Sequence, residues 1–199
     1  MKILIACEFS GIVRDCFIAM GHDAVSCDTL PTEALGPHHQ GDVLEILDQG
    51  WDMMIAHPPC TYLSSSGLHW NKRQPERALK TEDALLFVKA LWDAPIERVC
   101  IENPVGCINT RLPFMPKPQY IQPYDFGEDA SKKTGLWTRG LPPLVGEEKI
   151  EPRIVKGLPR WDNQSDAGQS RLGGGDGHKR SVTYFGIAYA MASQWSAEK

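Results

Sequence analysis

The apolar and polar positions change period several times before residue 105. Ile3, Leu4 and Ile5 form an unbroken apolar run, the pattern of a short strand buried on both faces. After the turn Cys7-Glu8-Phe9-Ser10-Gly11, the residues Ile12, Val13, Cys16, Phe17 and Met20 recur at helical spacing up to Gly21, a helix stop. Ala24-Val25-Ser26-Cys27 predicts a second strand, closed by Asp28. Met53-Met54-Ile55-Ala56 predicts another, halted by His57-Pro58-Pro59-Cys60. Residues 76–92 give the strongest helix, with Ala84, Leu85, Val88 and Leu91 on one face. Arg98-Val99-Cys100-Ile101 predicts the next strand and ends in Glu102-Asn103-Pro104. Strands alternating with helices in this way predict a parallel α/β sheet.

The segments between are less regular. Residues 29–41 are rich in Pro, Gly and His, residues 42–47 predict a short helix, and the polar stretch 61–75 predicts a mobile loop. Residues 105–180 carry many prolines and glycines, including Pro142-Pro143 and Gly173-Gly174-Gly175. They predict short strands and loops without a second core. Helical character returns with Ile187, Ala188, Met191, Ala192 and Trp195. The organisation expected is an α/β core over residues 1–104, a small region over 105–180, and a C-terminal helix over 181–199 that packs back on the core. At 199 residues this is one ordinary domain, long enough for a core without disulfides.

Composition narrows the class only slightly. Hydrophobic residues make up 42% and charged residues 23%, values of a soluble globular chain. No apolar run approaches the roughly 20 residues of a membrane span. The first residues read as a strand and not as a secretory signal, so a cytoplasmic protein is expected. Six cysteines without a C-x-x-C pair match no zinc spacing; no metal is expected, and most thiols should be reduced and buried. The net charge of −4 is unevenly spread. Residues 1–130 hold 10 Lys/Arg against 18 Asp/Glu, and residues 131–199 hold 11 against 7, which puts a DNA-facing surface or an ordinary solvated face in the last third.

Candidate chemistry gathers at the predicted strand ends, where parallel α/β sheets bind ligands. Phe9-Ser10-Gly11 is a small-residue turn between strand and helix, suited either to backbone approach of a cofactor or to a plain connection. Asp28, at the tip of the second strand, stands where an acid holds ribose hydroxyls in nucleotide-binding folds. Asp42, in Gly41-Asp42-Val43, can accept from an adenine amino group, cap a helix, or both. Cys60 follows a buried strand on a proline-stiffened loop, so it is presented at the sheet edge as a potential nucleophile. Glu102 and Asn103 lie at the tip of a neighbouring strand. A sulfur nucleophile beside a carboxylic acid suits attack on an electron-poor pyrimidine: sulfur adds at carbon 6 while the acid protonates nitrogen 3, and carbon 5 becomes able to take a methyl group from a sulfonium. His57, beside a tight Pro-Pro turn, is read as structural, bonding backbone. Trp70, Trp137 and Trp161 are read as packing residues, with stacking on bases as the alternative.

The order Phe9-Ser10-Gly11, Asp28, Gly41-Asp42-Val43, Pro59-Cys60, Glu102-Asn103 resembles that of cytosine-5 DNA methyltransferases, over about residues 3–104. The phrases Ala56-His57-Pro58-Pro59-Cys60-Thr61 and Ile101-Glu102-Asn103-Pro104 are most similar to short bacteriophage forms, and the helix from Arg180-Ser181 resembles the family's last motif. The resemblance implies a Rossmann-like S-adenosylmethionine-dependent methyltransferase fold with a small irregular recognition region. It implies S-adenosylmethionine held by Phe9, Ser10, Gly11, Asp28, Asp42, Val43 and Pro59, and catalysis by Cys60 and Glu102 with Asn103. The substrate implied is a cytosine flipped out of duplex DNA, contacted by Ser64, Ser65, Lys72, Arg73, Lys132, Lys133 and Arg139. A phage-encoded form would act in the host cytoplasm, where restriction–modification is the family's setting. Thr61 stands where the family usually has glutamine, Pro104 where it has valine, and no Gln-x-Arg-x-Arg segment is legible. The rival readings are an amino methyltransferase, suggested by His57-Pro58-Pro59-Cys60; a carboxymethyl-transferring variant; a methylase of free nucleotides; and a non-catalytic DNA-binding decoy.

Overall fold

The computed structural model describes residues 1–172 and 176–196; Gly173, Gly174 and Gly175 lie outside the described residues, as do the last three. Its centre is a seven-stranded sheet of order β3-β2-β1-β4-β5-β7-β6. The strands are β1 (Lys2–Ala6), β2 (Asp23–Asp28), β3 (His38–Gln40), β4 (Met53–Ala56), β5 (Arg98–Pro104), β6 (Gln119–Ile121) and β7 (Thr134–Arg139). The first five run parallel, while β7 is antiparallel to both β5 and β6. This is a Rossmann-like α/β sheet, mostly parallel, as the strand–helix alternation predicts.

Successive strand residues point to opposite faces, and both faces are covered. Leu4, Met54, Val99 and Ile101 face Leu85, Val88 and Leu91 of α3 (Pro75–Trp92), the partner of α1 (Ile12–Ala19) across the sheet. Ile3, Ile5, Met53 and Ile55 face Val13 and Phe17 of α1 and Ile187, Met191 and Trp195 of α6 (Phe185–Trp195). Double coverage explains why β1 and β4 read as unbroken apolar runs.

Several local expectations change. Residues 29–41 contain the edge strand β3, paired in parallel with β2. Residues 42–47 hold only a single 3-10 turn, Val43–Glu45, whose Leu44 N–H donates to the Asp42 side chain. The stretch 61–75 is not an open loop: it folds into the short α2 (Ser65–Leu68) and a 3-10 turn, His69–Lys72. The C-terminal helix is two pieces, α5 (Gly177–Ser181) and α6, because Val182 and Tyr184 are extended between them.

The sheet does not stop at residue 104. Beyond the short α4 (Ile108–Arg111), β6 and β7 extend it, and Leu136 and Trp137 of β7 are buried on opposite faces. Trp137, with 1% exposure, belongs to the core and is out of reach of any base. The strands β8 (Arg153–Val155) and β9 (Leu158–Arg160) form a separate hairpin. Among the described residues no helix is long and apolar enough to cross a membrane.

Candidate active site

The site lies beyond the carboxyl ends of β1, β2, β4 and β5. Prolines shape its central loop: Pro58 and Pro59 have no N–H to donate, so the segment between β4 and Cys60 cannot brace itself. Its neighbour on β5 supplies the brace. The buried Asn103 side chain donates from Nδ2 to the Pro58 carbonyl at 2.7 Å. The His57 N–H donates to the Ala6 carbonyl at 2.9 Å, which prolongs the β1–β4 pairing. Past the loop, the N–H groups of Leu63 and Ser64 both donate to the Cys60 carbonyl, at 3.0 and 2.9 Å, and close a turn.

That turn is then fixed to the segment following β5. The Cys107 N–H donates to the Leu63 carbonyl and the Ser65 N–H to the Val105 carbonyl, each at 2.9 Å. Gly106 allows the close approach: a Cβ there would lie 1.9 Å from the Leu63 carbonyl oxygen. Arg77 of α3 ties down the other side by donating to the Thr61 carbonyl at 2.7 Å. These bonds are why residues 61–67 hold a defined shape where polarity alone predicts a mobile loop.

Cys60 is half-buried, and burial pushes its thiol upward, as does the nearby Glu102 charge; Lys132 and Arg180 oppose this. Glu102 is deeply set. Burial favours its neutral form, but a hydrogen bond from His57, the Lys132 charge and the His57 charge outweigh burial and hold the carboxyl below its ordinary range. The His57 ring therefore does not serve backbone, as the Pro-Pro turn suggests. Its Nδ1 meets Glu102 Oε2 at 3.1 Å, with only 7% and 13% of the two side chains exposed.

Glu8, at the tip of β1, is a buried carboxylate that sequence reasoning passes over. It accepts the Val13 and Arg14 N–H groups at 2.7 and 3.2 Å and so caps α1. Burial raises its pKa, with the His57 charge and these hydrogen bonds working against the rise. Gly11 begins α1 at φ +79°, and a Cβ would sit 2.5 Å from the Arg14 guanidinium, so the small-residue turn has a packing reason.

Beside the loop is a cavity of about 360 Å³, within the size range of small-ligand sites. Four predicted cofactor residues, Asp28, Asp42, Val43 and Pro59, are on its wall. Phe9, Ser10 and Gly11 are not. Phe9 stacks on His178 of α5 with 4.3 Å between ring centroids, and the Ser10 hydroxyl turns inward to Glu8. The opposite wall is Lys80, Asp83, Ala84 and Phe87 of α3. Their i, i+3, i+4, i+7 spacing marks one helix stripe, a signal visible in sequence but mixed in polarity and so overshadowed by the apolar stripe beside it.

The predicted DNA contacts divide. Lys132 faces the Cys60–Glu102 pair, and its Nζ donates to the Arg180 carbonyl at 2.9 Å. Ser65, Lys72 and Arg73 are exposed on the 61–75 segment, Arg73 against Trp70; Ser64 is partly covered. Lys133 is exposed over the Tyr120 ring. Arg139 is not brought to the site. It lies at the far end of β7, where it donates to the carbonyls of Trp92, Ala94 and Ile96 and caps the end of α3. Trp161 stacks on Tyr124 at 4.2 Å, whereas Trp70 remains 43% exposed. Among the described residues no group of three or more His, Cys, Asp or Glu is placed to hold a metal ion.

No protein-family model matches the chain, and no curated protein matches it. Solved structures are similar to it, among them the following two. One is a DNA modification methyltransferase encoded within an E. coli prophage, with a TM-score of 0.49 and 14% identity over 89% of this chain and 63% of that one. The other is the S. pombe Dnmt2 methyltransferase, with a TM-score of 0.42 and 16% identity over 74% of this chain and 51% of that one. This chain thus spans less than two thirds of the length of either.

Proposed function

We propose that the protein transfers a methyl group from S-adenosylmethionine to carbon 5 of cytosine in DNA. The observation that carries this reading is the convergence of Cys60 and Glu102 on adjacent strand tips, next to a cavity walled by Asp28, Asp42 and Pro59. The cavity suits an adenosyl group. Asp28 can accept from ribose hydroxyls, Asp42 can accept from the adenine amino group, and Val43, Ala84 and Phe87 offer apolar cover for the purine. When bound, the cofactor supplies a methyl group on a sulfonium.

The chain's own residues would do the rest. Cys60 loses its proton, and Sγ adds to carbon 6 of the cytosine. Glu102 donates a proton to nitrogen 3, so the ring electrons gather at carbon 5, which takes the methyl group. Loss of the carbon-5 proton, departure of Sγ from carbon 6 and return of the nitrogen-3 proton give the product. Asn103 fixes the loop that carries Cys60. In this reading the base is flipped from the duplex, Ser64, Ser65, Lys72, Arg73, Lys132 and Lys133 contact the nucleic acid, and residues 105–180 supply what target recognition there is.

The test is trapping. The protein is mixed with S-adenosylmethionine and duplex DNA containing 5-fluorocytosine, where fluorine blocks the final proton loss. A denaturant-resistant protein–DNA adduct that needs both the cofactor and Cys60 is expected, and Cys60→Ser should give none. A protein that binds the cofactor but forms no adduct overturns carbon-5 chemistry.

A further inference from the structure

His57 occupies an unusual position. Its ring is buried between two carboxylates from different strands, Glu102 on β5 and Glu8 at the tip of β1. Nδ1 is engaged with Glu102 Oε2 at 3.1 Å, while Nε2 is buried and has no hydrogen-bond partner among the described residues. A histidine kept for structure has both nitrogens bonded, which fixes its tautomer and charge. Here one nitrogen is held and the other is not, so the ring can gain or lose a proton without breaking a second bond. Glu8 and Glu102 face the ring, and Lys132, from the segment before β7, and the half-buried Cys60 thiol of its own loop stand near the same carboxylate.

We infer that His57 is the proton store for Glu102, a positioning residue that acts through the carboxylate; the inference rests on the carbon-5 reading above. It removes a difficulty in that reading. An acid must hand a proton to nitrogen 3, yet Glu102 is held ionised at rest. The proton resides instead on the imidazole. As Sγ bonds to carbon 6, the Nδ1 proton of the charged imidazole passes to the Glu102 carboxylate and on from it to nitrogen 3, leaving a neutral imidazole and a carboxylate. When Sγ departs, the nitrogen-3 proton returns by the same path. One proton moves out and back, and no other reactant is consumed.

The experiment measures the rate of Cys60 adduct formation on 5-fluorocytosine DNA from about pH 5.5 to about pH 10.5, a range that takes in both an imidazole and a thiol raised by burial. The wild type should show a bell: the rate rises as Cys60 ionises and falls as His57 loses its proton. In His57→Asn an amide can still donate to Glu102 but cannot store a proton. Its rate should fall by about 10²–10⁴-fold, the usual weight of general acid catalysis, and the alkaline fall should vanish. A His57→Asn variant that keeps the wild-type rate and bell overturns the proton store and leaves carbon-5 chemistry intact. No adduct in wild type at any pH overturns both. A second measurement does not depend on turnover: imidazole titration followed by NMR in wild type and in Glu102→Gln. Loss of the carboxylate should lower the His57 pKa, and an unchanged titration overturns the shared proton.

Discussion

Two basic side chains, Arg14 and His57, are largely buried, and their surroundings differ. Arg14 has no exposed surface, yet its guanidinium makes five hydrogen bonds: from Nε to Asp15, from Nη1 to Ser26 and Thr32, and from Nη2 to the carbonyls of Ala34 and Leu35, all at 2.7–3.3 Å. His57 is almost as buried and, among the described residues, makes one side-chain hydrogen bond, with none at Nε2. A full set of partners fixes one geometry and one protonation state. It suits the task of holding the irregular segment 29–37 against α1 and β2. An incomplete set costs stability and leaves a group able to change state, which is how a working site differs from a brace. Asn103 shows both characters: its Nδ2 holds the Pro58 carbonyl, while its Oδ1 is buried and unpaired.

The sharpest way to break this contrast is to remove the brace. Arg14→Met removes the Arg14 donors to the Ser26 and Thr32 hydroxyls and to the Ala34 and Leu35 carbonyls. A loss of about 3–5 kcal/mol is expected, the usual cost of deleting one partner from a buried charged network. Urea denaturation at neutral pH would measure it. A loss under about 1 kcal/mol would show that the five hydrogen bonds are not what holds the 29–37 segment, since surface changes have effects of that size.

Asp28 should show the opposite balance. Its Oδ1 accepts only from its own neighbours, Leu30 N–H at 2.9 Å and the Thr29 hydroxyl, on an exposed turn. Asp28→Ala should therefore barely change unfolding. Cofactor affinity should fall by about 10- to 150-fold, the worth of a hydrogen bond to a charged acceptor of about 1.5–3 kcal/mol. Calorimetric titration with S-adenosylmethionine reads this directly. An unchanged dissociation constant would remove Asp28 from the cofactor wall.

Legibility in the sequence follows the same divide between local and distant causes. β1, β4 and α3 are plain because their apolar periods record burial on the sheet they build. Cys60 and Glu102 are legible because strand ends are, and strand ends in a parallel sheet share one rim. The His57–Glu102 pair depends on a contact across 45 residues, which no window of sequence contains, and the Lys80–Phe87 stripe becomes a wall only through the loops that face it. The strand β3 is too short and polar to signal itself, since it pairs at the sheet edge with two histidines and a glutamine. Arg139 misleads for a related reason. A basic residue after Lys132-Lys133 looks like part of a DNA-facing group, but β7 carries it the length of the sheet to the end of α3.

Lys132 and Arg139 allow the smallest of these tests, because they share a charge but not an environment, one lying just before β7 and the other at its far end. Burial and the Glu102 charge raise the Cys60 thiol, and Lys132 and Arg180 pull it back. Lys132→Met removes part of the opposing attraction. The thiol pKa should move further up, and at a fixed mildly alkaline pH the thiolate fraction should fall, slowing alkylation by iodoacetamide. Cys60→Ser gives the background from the remaining five cysteines. The effect should shrink as salt is added, since the Lys132 side chain is only partly buried and its field is screened beyond roughly 8–10 Å at ordinary ionic strength. Arg139→Met should leave Cys60 alkylation unchanged while costing stability, through the three hydrogen bonds it makes to the Trp92, Ala94 and Ile96 carbonyls. Equal slowing in both variants would mean that the thiol responds to the net charge of the domain and not to one lysine at its side.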